Sequence, residues 1–195
     1  MLSRLRKPSI ALVALIATVA LGACGSSHSK VTTGTYAGES GANAPYLDVG
    51  PLVYQVQLSR QLNPFDTEDA SYLQGLKPAE SHLAPGQEWF AVFVQVYNNG
   101  SAAEPAASKM TVSDTQGNVY APVVPDQSNE YAFRGGLVPA KGRLPVLDST
   151  SSNGPTQGAL LLYKIQIASL DNRPLKLKIV NPADAAQTAS AELDV

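Results

Sequence analysis

The sequence predicts an all-β domain, an antiparallel β-sandwich of about seven strands. Apolar residues recur with a period of two along most of the chain after residue 45, and this period is typical of strands. Clusters of Gly, Pro, Asn and Asp separate the apolar runs, as expected where turns join short strands. Only one short segment carries the start signal of a helix.

The longest apolar runs predict the centre of the sandwich. Residues Trp89–Tyr97 are apolar on both alternating faces, which indicates a strand buried on both sides, and Asn98-Asn99-Gly100 ends it. Ala159–Ile167 predicts a second long buried strand. From Leu52 to Leu58, apolar residues occupy every second position, which predicts another strand ahead of these two in the chain.

Turn signals divide the rest of the domain into shorter strands. A predicted hairpin joins Lys109–Ser113 to Asn118–Ala121 through Asp114–Gly117. The other predicted turns are Val138–Gly142, Asp171–Pro174 and Asn181–Asp184, and the last two enclose a strand over Leu175–Val180. The final strand, over residues 191–195, is predicted to lie at the edge of a sheet.

One short helix is predicted near residues 67–74. Asp66 or Thr67 can cap its N-terminus, and the acidic residues of its first turn complement the helix dipole. Gly75 or Pro78 then ends it.

The first 23 residues have the features of a secretory signal helix. A basic start, Met1–Lys7, precedes the uncharged apolar run Ile10–Leu21. A helix of this length spans about 18 Å, well short of the ~30 Å hydrocarbon core of a bilayer. A cleaved or modified signal is therefore favoured over a transmembrane helix.

The end of this segment, Leu21-Gly22-Ala23-Cys24, resembles the lipobox of bacterial lipoproteins, and Cys24 is the only cysteine of the chain. The resemblance implies a lipid, diacylglyceryl with palmitate-type chains, on Cys24 and cleavage between Ala23 and Cys24. Two or three acyl chains hold a protein stably on a bilayer. We therefore expect a protein anchored on the extracytoplasmic face of the cell membrane. The alternative is an ordinary signal followed by an unmodified cysteine.

Composition separates residues 24–45 from residues 46–195. The first range is rich in Gly, Ser, Thr and Ala, which predicts a flexible linker with a reach of about 25 Å. The second suits a single domain. All 16 acidic residues follow Cys24 and three of the 14 basic residues precede it, so the mature chain carries a net charge of −5. This charge argues against a nucleic-acid partner.

Three segments occur in the order of a known family: WFAVFVQVYNNG (Trp89–Gly100), DTQGNVY (Asp114–Tyr120) and LVPAKGRLPVLDS (Leu137–Ser149). They resemble a bacterial immunoglobulin-like family, the immunoprotective extracellular antigen family. The fuller pattern, which adds Asn63–Leu73, Gly154–Ile165 and Asp171–Ile179, resembles uncharacterised actinobacterial lipoproteins. The family's turn glycine is displaced to Gly142, and Pro145 interrupts the strand after it. The resemblance implies an immunoglobulin-like sandwich outside the cytoplasm, with no catalytic residues to transfer.

Two sets of residues are candidate binding sites. The acidic cluster of Asp66, Glu68 and Asp69 offers oxygen ligands to calcium or another small ligand, with Asp66 and Asp69 on one helix face, although helix capping also explains it. Tyr131 and Phe133 lie in a predicted loop and are candidates for an exposed contact surface. We expect no cofactor and no dedicated metal site, because soft-metal ligands are scarce.

Catalysis has little support in the sequence. The chain lacks a G-x-S-x-G nucleophile elbow, and His82, the only histidine within the predicted domain, lies in a predicted surface loop. A non-enzymatic binding domain with an envelope protein as partner is the leading hypothesis. A small-ligand or calcium module is the alternative, and an envelope hydrolase is the least supported.

Overall fold

Two β-sheets pack face to face in the computed structural model, which describes residues 29–32 and 46–193. The predicted signal segment, Cys24 and most of the predicted linker lie outside the described residues. The strands are β1 (Ser29–Thr32), β2 (Leu47–Val49), β3 (Leu52–Leu62), β4 (Gln87–Asn98), β5 (Glu104–Pro105), β6 (Lys109–Ser113), β7 (Val119–Tyr120), β8 (Leu137–Val138), β9 (Arg143–Leu144), β10 (Ala159–Gln166), β11 (Leu175–Val180) and β12 (Thr188–Leu193). The helices are α1 (Thr67–Tyr72), α2 (Thr150–Asn153) and a 3-10 helix, Ile167–Leu170.

Sheet A has the strand order β1-β12-β11-β6-β7, and sheet B has the order β10-β4-β3-β2, with β9 added against β4. Strands β5 and β8 form a separate small ribbon. Every strand pairing is antiparallel except that of β1 with β12. The predicted all-β antiparallel sandwich is therefore confirmed, with shorter strands added to the predicted set.

Strand β4 is buried on both faces, as its sequence predicts. Phe90 and Val92 face the main core between the sheets, where side chains of β6, β11 and β12 meet those of sheet B. Trp89 and Phe93 face the other way, into a second cluster on the outer side of sheet B. Helix α1 covers this cluster with Tyr72, whose ring lies 5.0 Å from that of Phe93. A strand with two buried faces gains apolar burial on both, which explains its unbroken apolar run.

Several details differ from the predictions, and the short helix α2 is one of them, because only one helix was predicted. The register of β3 shifts between Val56 and Leu58, so Leu58 packs against the second cluster instead of the main core. Such a bulge reverses the faces of the residues that follow it. Ile167 begins the 3-10 helix instead of ending β10. The last strand, β12, is not an edge strand, because β1 pairs along its outer side.

Two tyrosines of sheet B reach across the main core to β6 and the segment directly before it. The Tyr54 oxygen accepts a hydrogen bond from the Ala107 N–H at 2.7 Å, and the Tyr163 hydroxyl donates to the Met110 carbonyl at 3.2 Å. Burial raises the pKa of both hydroxyls, and for Tyr54 it outweighs the opposing effect of the Ala107 N–H. These bonds join the two sheets at polar atoms that water does not reach.

The strand directions define two ends of the sandwich. The Asn181 end carries the β2–β3 turn at Gly50 and the loop 181–187, which touch one another. The Phe65 end carries the β3–α1 turn and the β6–β7 hairpin, and the backbone of Thr115 in this hairpin bonds to the Asn172 carbonyl. In the described part of the chain, no helix has the length and apolar character needed to cross a bilayer.

Candidate functional site

The acidic residues at the start of α1 cap the helix. One carboxylate oxygen of Asp66 accepts hydrogen bonds from the N–H groups of Glu68 (2.9 Å) and Asp69 (3.2 Å). A cap of this kind stabilises a helix by about 1 kcal/mol. Asp66 is therefore the N-cap residue, one of the two that the sequence predicted.

The other two acids pair with groups of the protein itself. Asp69 is 4% exposed; one of its oxygens pairs with Arg60, and the other accepts the Asn63 N–H at 2.7 Å. Glu68 lies 3.3 Å from the same Arg60 guanidinium and accepts the Tyr72 hydroxyl at 3.0 Å. Within residues 29–32 and 46–193, no group of three or more His, Cys, Asp or Glu is placed to hold a metal ion. The geometry accounts for these acids by capping and ion pairing.

The predicted contact surface at Tyr131 and Phe133 is wrong for Phe133, which is 8% exposed and packs in the main core. Tyr131 is half-buried, with its ring 4.8 Å from the Tyr72 ring. The cause is backbone pairing along β10: the Phe133 N–H donates to the Leu160 carbonyl, and the Leu160 N–H donates to the Tyr131 carbonyl, both at 2.8 Å. The two paired segments lie at least 27 residues apart in sequence, so the local sequence around Phe133 does not indicate its burial.

Arg134 holds the rest of this loop in place. Its guanidinium donates to the carbonyls of Pro125 (3.1 Å), Asn129 (2.9 Å) and Asp126. An open cleft of about 250 Å³ lies between the loop and the segment Leu144–Val146. This volume is below the roughly 300–1,000 Å³ of typical ligand pockets, and the Arg134 charge is already satisfied by the loop. The cleft is therefore a weak candidate for a small-molecule site.

Phe65 is the side chain that the sequence reasoning missed. It is 97% exposed, more than any other large apolar residue that the structure describes. The turn Asn63-Pro64-Phe65-Asp66 holds it: the Asp66 N–H donates to the Asn63 carbonyl at 3.0 Å, and the Phe65 N–H donates to the Asn63 side chain at 3.1 Å. The dipeptide Asn-Pro at the start of a turn is the signal that could have found it.

The position of Phe65 makes its exposure informative. An apolar residue directly before an N-cap commonly folds back onto the fourth helical residue, the arrangement known as a hydrophobic staple. The residue in that place is Ala70, whose side chain is too small to cover a phenyl ring. Leaving a phenylalanine in water forgoes roughly 1.5–3 kcal/mol of burial. The ring is thus available for burial against another molecule.

The remaining predicted groups are placed as follows. His82 lies in an exposed loop, as predicted, with its Nδ1 atom 3.1 Å from the Pro78 carbonyl and 3.2 Å from the Ser81 hydroxyl. Trp89 is 2% exposed, in agreement with a packing role. Ala23 and Cys24, the predicted cleavage and lipidation positions, lie outside the described residues.

Three solved bacterial proteins resemble the chain in structure. The yjhA protein of Bacillus subtilis superimposes with a TM-score of 0.50 at 13% identity, over 81% of this chain and 100% of that one. The candidate lipoprotein ycdA of the same species gives a TM-score of 0.45 at 11% identity, over 76% of this chain and 38% of ycdA. An uncharacterised β-sandwich protein of Clostridium difficile gives a TM-score of 0.43 at 6% identity, over 80% of this chain and 94% of that one. No family model and no curated protein matches the sequence.

The fold defines the class: the chain is a β-sandwich protein, and the yjhA structure is similar to it over the whole yjhA chain. At 13% identity the similarity concerns the fold alone. Membership of the immunoprotective antigen family stays a prediction from the sequence motifs.

Proposed function

We propose that this chain is a lipid-anchored extracytoplasmic protein whose β-sandwich acts by binding an envelope protein, without catalysis. The observation that carries the proposal is the 97% exposure of Phe65 on a hydrogen-bonded turn. The lipobox at Leu21–Cys24 supports the anchor.

Phe65 has the properties of an interface anchor. Aromatic side chains that enter a pocket of a partner dominate the binding energy of many interfaces. The turn is already ordered by two bonds to Asn63, so little conformational entropy would be lost when the ring is buried. The Arg60 network anchors α1 directly behind the turn. A fixed apolar tip of this kind suits a complementary apolar pocket on a protein.

Photo-crosslinking in living cells tests the proposal. A photo-reactive amino acid replaces Phe65, and in a matched strain it replaces Leu147, which is 63% exposed beside the cleft. We expect one defined adduct from position 65 and none from position 147. With the captured protein purified, Phe65→Ala should weaken binding about tenfold or more, as expected for an anchor worth over 1.4 kcal/mol. Leu147→Ala should leave the affinity unchanged.

Two results would contradict the proposed site. Capture from position 147 but not from 65 would move the contact to the cleft. Full binding by Phe65→Ala would show that the ring is not an anchor.

A further inference from the structure

We infer that strand β1 determines which end of the sandwich faces the membrane: the Asn181 end lies next to the bilayer, and the Phe65 end points away from it. This inference rests on the proposed lipid anchor at Cys24. In this orientation the Asn181 end is the bilayer-facing surface and the Phe65 end is the partner-facing surface.

The pairing of β1 gives the direction. β1 runs parallel to β12, with Ser29 opposite Thr188 and Thr32 opposite Ala191. Thr188 directly follows the loop 181–187, and Leu193 pairs with Leu175 at the opposite end of sheet A. The chain therefore enters the sheet at the Asn181 end and runs toward the Phe65 end.

Chain length limits how far the Asn181 end can lie from the anchor. Five residue steps separate Cys24 from Ser29, and a fully extended chain covers at most 3.3–3.6 Å a step, so the span is below about 18 Å. Without β1, the first paired residue would be Leu47, and the same limit would rise to about 80 Å. The backbone pairing of four residues thus replaces a long tether by a short one.

The length of the sandwich then sets the position of the Phe65 end. β4 runs from Gln87 at the Phe65 end to Asn98 at the Asn181 end. Twelve residues at about 3.3 Å each span about 40 Å. The Phe65 ring therefore stands tens of ångströms beyond the lipid surface, where an envelope protein can reach it.

A pair of single-cysteine variants tests the orientation in the full lipidated protein. The lipid occupies the Cys24 thiol, so an introduced cysteine is the one reactive thiol of the mature chain. Ala185→Cys places a dye in the exposed loop 181–187, and Gln116→Cys places it in the exposed β6–β7 hairpin. Energy transfer to a headgroup-labelled phospholipid in vesicles is measured for each. We expect several-fold higher transfer from position 185 than from position 116.

Proline variants show whether β1 is the cause. Lys30→Pro with Val31→Pro removes two consecutive N–H groups from β1, so at least one ladder bond to β12 is lost. The difference between positions 185 and 116 should then shrink. The matched control, Ala42→Pro with Asn43→Pro, lies outside β1 and should preserve the difference.

The outcomes separate the two proposals. Equal transfer from positions 185 and 116 in vesicle-bound protein, or higher transfer from 116, would overturn the orientation while the anchor stands. Failure of the protein to float with the vesicles would overturn the anchor, and the orientation with it.

Discussion

Asp114 shows how a single buried carboxylate can organise one end of the sandwich. One of its oxygens accepts the N–H groups of Gln116 (3.0 Å) and Asn118 (2.9 Å), which close the β6–β7 hairpin. The other accepts the Asn118 amide at 2.7 Å and the Ser169 hydroxyl at 2.6 Å. Burial opposes ionisation, but these hydrogen bonds outweigh it and hold the pKa of Asp114 below its ordinary value.

This pKa predicts a pH-dependent effect of Asp114→Asn. A depressed carboxyl pKa contributes stability that is present above the ordinary value of about 3.9 and is lost as the pH falls through the folded-state pKa. We expect the variant to unfold at a lower urea concentration than the wild type at pH 7. The difference between the two urea midpoints should become smaller at pH 3. Asp171→Asn, in a nearby exposed turn, should change little at either pH. An equal difference in urea midpoint at both pH values would contradict the prediction.

Two phenylalanines show where prediction from single residues ends. Phe133 follows a polar segment and precedes Arg134-Gly135-Gly136, so its sequence context is that of an exposed loop, yet backbone pairing with Leu160 buries it. Phe65 has an equally turn-like context and remains 97% exposed. Local sequence is similar in the two cases; the nearby strand edge that accepts Phe133 makes the difference.

At the scale of elements, period-two patterning predicted the strands, and the partner elements decided their faces. β4 has two buried faces because α1 and the second cluster cover its outer side. The bulge after Val56 in β3 then turns Leu58 toward that cluster. The signal for the bulge is weak, because Gln57, at the irregular position, is an ordinary polar residue in the sequence.

The hydrogen bond between Tyr54 and Ala107 is predicted to stabilise the packing of the two sheets, and a substitution at Tyr54 can test this. Tyr54→Phe keeps the ring but leaves the buried Ala107 N–H without its acceptor. We expect the free energy of unfolding to fall by about 1–3 kcal/mol, measured by urea denaturation. Tyr46→Phe, at a ring that is 63% exposed, should stay within about 0.5 kcal/mol of the wild type. Equal effects of the two substitutions would show that this bond does not stabilise the fold.

At the scale of the whole molecule, β1 joins the N-terminal segment to the end of the chain. The sequence predicted residues 24–45 as a linker and β12 as an edge strand, whereas Ser29–Thr32 pairs along β12. The segment SKVT contains one large apolar residue, Val31, too little for a periodic strand signal. Its pairing depends on an open strand edge more than 150 residues away in sequence.

The anchor is tested at the same scale by Cys24→Ser. The hydroxyl cannot form the thioether, so we expect the variant to leave the membrane fraction and to lose incorporation of labelled palmitate. Ser27→Ala, outside the Leu21–Cys24 motif, is the control and should stay at the membrane. If Cys24→Ser remains membrane-bound at unchanged mass, the lipobox interpretation is wrong.

The sequence by itself determined the strands, the two-sided burial of β4, the Asp66 cap and the β6–β7 hairpin, because these follow from local periodicity and turn chemistry. It also carries the lipobox, which predicts attachment. Only the tertiary structure decided that Phe133 is buried and Phe65 exposed, that Arg60 pairs with two acids of α1, and that β1 pairs along β12. Each of these depends on which distant segment lies alongside, and local sequence does not encode that.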